Sequence, residues 1–172
     1  MALLQCSNAL LAQLDALHEP EAIPATPPGR LGDWCATVFA LDDRRAALFM
    51  SQRTLLSFII LEGKRFDMEA IARILWGGLA QVLEMEGYKK RDVEEIVESY
   101  SEIVLAKTAS ASRTSQMNSL IRDYRDLVMS FGGLKRCDVG VVIHEINQRP
   151  RKALDWATPQ EVTHELVNSK TG

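Results

Sequence analysis

Cysteine is scarce in this chain. Only Cys6, Cys35 and Cys137 occur in 172 residues, odd in number, scattered and without a C-x-x-C pair. That excludes a disulfide framework and a zinc site of the usual spacing, and it points to reduced thiols in a cytoplasmic setting. The opening Met1–Cys6 has no basic region and no small-residue cleavage site, so no signal peptide is expected. No apolar run approaches the roughly 20 residues of a membrane span, so no membrane partner is expected. Internal repeats and low-complexity tracts are absent, as are G-x-S-x-G, H-E-x-x-H and D-x-D. His144 and His164 have no partners at metal-ligand spacing, so no metal is expected. No cofactor motif stands out either. Asp42-Asp43 lies between two apolar runs and reads as a turn.

What is present describes an ordinary soluble globular protein. Hydrophobic residues make up 47% and charged residues 25%, which excludes a disordered tail or a collagen-like rod. The length suits one domain, 1–172, with four of the six prolines (Pro20, Pro24, Pro27, Pro28) in a connecting loop over 20–30. The net charge of −3 argues against a surface basic throughout. That total hides polarity, however. Lys135, Arg136, Arg149, Arg151 and Lys152 face only Asp138 and Glu145 between residues 135 and 152, a local +3. Seven acids against Lys89, Lys90 and Arg91 give −4 over residues 84–102.

Periodicity predicts an α+β fold. Ser7 caps a short helix bearing Leu10, Leu11, Leu14 and Leu17. Trp34–Leu41, Arg45–Met50 and Thr54–Leu61 are apolar runs with short polar connections, an antiparallel meander ended by Gly63. Asp67 caps a helix carrying Met68, Ile71, Leu75, Leu79 and Val82, with Gly87 at its exit. Gly77-Gly78 inside it suggests a close approach to the sheet by another backbone. Asp92 and Glu95 form a capping-box pattern for the next helix. Ile103-Val104-Leu105 is a strand. The stripe Met117, Leu120, Ile121, Tyr124, Leu127, Val128 and Phe131 marks the clearest helix, stopped by Gly132-Gly133. Asp138 caps a segment with Val139, Val142, Ile143 and Ile146, closed by Pro150; its spacing is helical, with strand the alternative for its β-branched residues. Thr158-Pro159-Gln160-Glu161 opens the last helix with cap, N1 proline and N3 glutamate. The sum is a small, mainly antiparallel sheet of about four or five strands packed by about five or six helices.

The most suggestive stretch runs from Ala106 to Ser115, between a strand and the best helix. A helix N-terminus offers free N–H groups and partial positive charge to an anion. Lys107, Thr108, Ser112, Arg113 and Asn118 are the candidate ligands; the plain alternative is a loop whose Ser112, Thr114 or Ser115 caps the helix. The basic segment Lys135, Arg136, Arg149, Arg151 and Lys152 is a second anion-facing candidate. The expectation is a non-enzymatic binding or interaction protein for an anionic ligand or nucleic acid. Two alternatives stand beside it: an enzyme acting on a phosphorylated or carboxylated small molecule, and a structural homo-oligomer using Trp34, Trp76 or Trp156 at an interface.

Two resemblances add to this. Cys6-Ser7-x-x-Leu10-Leu11, Gly32-Asp33-Trp34-Cys35-Ala36 and Leu48-Phe49-Met50-Ser51-x-x-Thr54-Leu55 stand in the first half of the chain. Ala106-Lys107-Thr108, Ser112, Met117-Asn118 and Ile146-Asn147-x-x-Pro150 stand in the second. Together they resemble, nearly end to end, an uncharacterised bacterial family known only as a domain of unknown function. The resemblance implies a small α+β domain and no activity. Members carry an arginine before the serine, a glycine two residues before the methionine and an aspartate after the asparagine. Here Ala111, Ser115 and Ser119 stand there, with Arg113 on the other side of Ser112. Locally, residues 147–162 are similar to the tail of insertion-sequence transposases of the DDE class, which implies a two-metal carboxylate site on an RNase-H-like sheet.

Overall fold

A computed structural model describes residues 2–14, 28–62, 67–108 and 110–169. Leu17, Gly63 and the proline-rich connection up to Pro27 lie outside them.

The architecture is α+β, with a five-stranded sheet in the order β4-β3-β2-β1-β5. The meander forms as its polar turns dictate: β2 (Trp34–Leu41), β3 (Arg44–Ser51) and β4 (Ser57–Leu61) pair antiparallel. The strand β1 (Ala2–Cys6) was not expected from the sequence. It pairs parallel with β2 on one side and with β5 (Ile103–Lys107) on the other. Its five residues alternate buried and half-buried, and its partners lie about 30 and 100 positions away, so nothing local distinguishes it from a loop.

Helices cover both faces. α1 (Asn8–Gln13) is capped by the Ser7 side chain, as predicted. α2 (Met68–Met85) starts at Asp67 and leaves through Gly87. It lies on the face that carries Trp34, Phe49 and Phe58, where Phe49 and Phe58 stack at 5.0 Å. Gly78 explains the contact: a Cβ there would stand 2.2 Å from the Phe58 ring. The neighbour is a side chain, not the expected backbone, and Gly77 has nothing within 4 Å.

The cap of α3 (Lys90–Glu98) lies three residues before the predicted one. Lys89 is its N-cap and makes no side-chain bond. Gly87, at φ +85, ends α2 so abruptly that the chain re-enters helix at once. Asp92 therefore lies in the first turn, where its charge suits the helix dipole. Glu95 meets Arg91 and Arg30 instead of closing a capping box. Tyr100, just after α3, donates its hydroxyl to the Gly32 carbonyl and accepts from the Leu31 amide, both at 2.8 Å.

The opposite face is packed by α4 (Ala111–Ser130), and α5 (Val139–Asn147) runs along the β4 edge between α2 and α4. The fully buried Tyr124 reaches Ser57 Oγ at 2.9 Å. Gly133, at φ +103, turns the chain after α4 and leaves room for Asp42, whose carboxylate accepts from the Leu134 amide at 3.0 Å. Asp138 caps α5, and Thr158 and Glu161 form the predicted capping box of α6 (Pro159–Asn168).

Candidate functional site

The predicted anion loop is divided by the pleat. Lys107 ends β5 opposite Cys6, which in turn is opposite Ala36. Side chains alternate along a strand, so Lys107 belongs to the α2 face. Arg113 instead lies beside Cys35, on the α4 face, and its guanidinium donates to Gln116 Oε1 at 3.1 Å. Asn118 is five residues further on, about 140° around the helix from Arg113. These residues do not meet around one concavity.

The loop also caps differently from the three candidates. Ser110, not Ser112, Thr114 or Ser115, accepts the Arg113 amide and is the N-cap of α4. Ser112 is exposed on the first turn. Thr108 extends the β1–β5 ladder by donating its amide to the Cys6 carbonyl. Its hydroxyl is buried without a partner among the described residues.

Asn118 has different neighbours. With Phe39, Ile121, Arg122, Arg125 and Asp126 it lines a cavity of about 410 Å³ between α4 and β2. Arg125 is held there by its backbone surroundings: Nε donates to the Ala40 carbonyl at 2.9 Å, and the guanidinium lies 5.7 Å over the Phe39 ring. Stacking and one fixed bond preorganise this cation and leave the rest of its donor fork available. Arg122 and Arg125 lie off the apolar stripe of α4, so periodicity alone gives them no partner. The missing signal is tertiary, because Phe39 comes from a strand 86 positions before Arg125.

The second basic segment is partly neutralised within the fold. Arg151, 14% exposed, binds the Asp123 carboxylate, and Arg149 lies 4.0 Å from the same group. Lys135 and Arg136 sit on a 3-10 turn beside the β2–β3 turn, away from that pair, and both are exposed, as is Lys152. Asp155 and Trp156 are both left-handed, at φ +51 and +67. They close a tight loop on the Arg151 carbonyl, and Trp156 is left 67% exposed. Trp34 is fully buried, and Trp76 donates to the Tyr100 carbonyl.

The cysteines are not poised as nucleophiles. Burial is the main cause that pushes the Cys6 thiol up to about 12 and the Cys35 thiol up to about 11. For Cys35 the Gln52 hydrogen bond and Arg113 offset part of that rise. A reactive cysteine needs the opposite shift. Burial likewise raises Tyr88 and Tyr100 to about 12.

These shifts make a prediction. The unfolded chain releases these protons near the ordinary values of 9.0 for Cys and 10.0 for Tyr. The folded chain holds them longer, so the unfolded state binds fewer protons in this window and stability falls as pH rises. Urea midpoints should hold steady below about pH 8.5 and drop between about pH 9 and 11. Cys6→Ala should flatten that drop. A flat profile through this range would contradict the assigned burial.

Among the described residues no helix is long and apolar enough to cross a membrane, and no three His, Cys, Asp or Glu side chains could share a metal ion. Residues 147–162 span the end of α5, a 3-10 turn and the start of α6, and no comparison carries the transposase likeness. No curated protein and no solved structure matches the chain. Residues 3–162, nearly the whole length, match the family described as "Domain of unknown function (DUF6933)", and the chain belongs to that family.

Proposed function

We propose that this is a non-enzymatic binding protein of the cytoplasm that engages an anionic partner through the outer side of α4. The observation that carries the reading is the preorganised Arg125 in the cavity with Asn118 and Arg122. Lys152, next to the Arg151 that binds Asp123 of α4, adds the same sign of charge. Asp126 is the opposing charge in the cavity, so the surface favours an extended polyanion touching several cations over a single small anion.

Mobility shifts with DNA and RNA at several salt concentrations test this. Arg122 and Lys152 are the residues to change, because both are exposed and neither supports the fold as Arg151 does. Arg122→Ala and Lys152→Ala should each weaken binding and reduce the salt slope by about 1. No binding by the wild type, or slopes unchanged in both variants, defeats the nucleic-acid form of the proposal.

The enzyme reading draws on the same cavity, with Arg122 and Arg125 holding a phosphate or carboxylate. It requires saturable binding of a small anion such as pyrophosphate, lost in Arg125→Ala. The homo-oligomer reading draws on the exposed Trp156, and light scattering at high concentration decides it.

A further inference from the structure

Among the described residues β4 is an edge strand, bonded to β3 alone. The Ser51 amide donates to the Leu56 carbonyl and the Glu62 amide to the Arg45 carbonyl. With the regular register between them, Leu56, Phe58, Ile60 and Glu62 turn their backbone groups toward β3. Ser57, Ile59 and Leu61 turn theirs outward.

At Ser57 the outward pair is met by one side chain. Asn147 Oδ1 accepts the Ser57 amide at 3.0 Å, and Asn147 Nδ2 donates to the Ser57 carbonyl at 2.8 Å. The carboxamide thus stands in for the N–H and C=O of one residue of a neighbouring strand. Two residues on, Ile59 presents the same N–H and C=O, and no described residue bonds to either. Ile59 is nevertheless buried, and orphaned buried backbone groups are rare and costly.

Where its partner would lie there is a cavity of about 270 Å³ along Phe58–Leu61. Its walls are apolar, from Val82 and Met85 of α2 and from Val139 and Ile143 of α5. The exposed Gln81 and Met85 line it too, so it opens to solvent on their side.

We infer that this cavity binds one residue-like unit, an N–H and a C=O on either side of a carbon bearing a compact apolar group, paired with the Ile59 backbone as a neighbouring strand residue would be. Both bonds come from one residue of the ligand: its C=O accepts the Ile59 N–H and its N–H donates to the Ile59 C=O. The volume falls just below the ~300–1,000 Å³ of typical small-molecule sites. It therefore suits one or two residues of a peptide or an N-acylated small molecule, two sources of the same chemistry. Asn147 blocks extension past Ser57, so a longer ligand leaves on the Leu61 side.

The test is ¹⁵N NMR titration of the full chain with N-acetylvaline N-methylamide. Saturable shifts are expected at Ile59 and Leu61, with the Ile59 amide moving downfield. The analogue whose valine N–H is an ester oxygen should bind roughly tenfold more weakly, the loss of one hydrogen bond. Met85→Trp, at a partly exposed wall position, and Val139→Phe should each abolish the shifts; either one that folds suffices. A capped tripeptide that binds tighter than the single residue identifies a peptide ligand, and equal affinity identifies a small N-acyl amide. No shift at millimolar amide, or equal binding of amide and ester, overturns the inference.

Discussion

Asn147→Ala should destabilise the protein by about 3–5 kcal/mol, the largest loss expected from removing one polar side chain. The carboxamide is fully buried and serves both backbone groups of Ser57. Its removal strands a donor and an acceptor in a dry interior, each at about 1–3 kcal/mol. Ser57 Oγ is already engaged by Tyr124, so it offers no substitute. Asn147→Asp sharpens the test. It keeps the shape and the acceptor for the Ser57 amide but sets an oxygen against the Ser57 carbonyl, so it should lose at least as much near neutral pH. Urea denaturation measures both. A change below about 1 kcal/mol in either variant would mean that Asn147 does not hold the strand edge.

The same residue shows how far the sequence could be read. Asn147 stood in the Ile146-Asn147-x-x-Pro150 stretch of the family resemblance, yet nothing in the spacing revealed that it faces a strand 90 positions earlier. Local chemistry was legible where local interactions decide. Ser7, Asp67, Asp138 and Thr158 cap the helices their patterns announced. The meander followed from its turns. Long-range contacts decided the rest. β1 becomes a strand because β2 and β5 flank it, and a five-residue apolar start carries no period that says so. Lys107 and Arg113, six positions apart, were separated by the pleat, while Arg125 was drawn to Phe39 by packing. The proposed anion site therefore keeps Asn118 from the predicted set and adds two arginines that lie off the apolar stripe of α4.

Two adjacent glycines should respond in opposite directions. Gly77→Ala should stabilise by up to about 1 kcal/mol, since Gly77 is exposed within α2 and an added methyl meets nothing within 4 Å. Gly78→Ala receives the same helix-propensity gain but sets a methyl 2.2 Å from Phe58 Cε2. That ring cannot retreat freely: it stacks on Phe49 at 5.0 Å and packs against Trp34 at 5.8 Å, all three buried. Either the ring leaves its stack or α2 lifts from the sheet, and overpacking of this kind costs about 1–3 kcal/mol or more. The net loss for Gly78→Ala should be about 2 kcal/mol, which sets the neighbours about 3 kcal/mol apart. Gly78→Val, with a branched side chain against the same ring, should lose more still. Thermal and urea unfolding of the three variants measure the difference. If Gly78→Ala matches Gly77→Ala, α2 does not sit on Phe58 as described. The α2 wall of the cavity beside Ile59 would then have to be redrawn with it, because Val82 and Met85 follow Gly78 on the same helix.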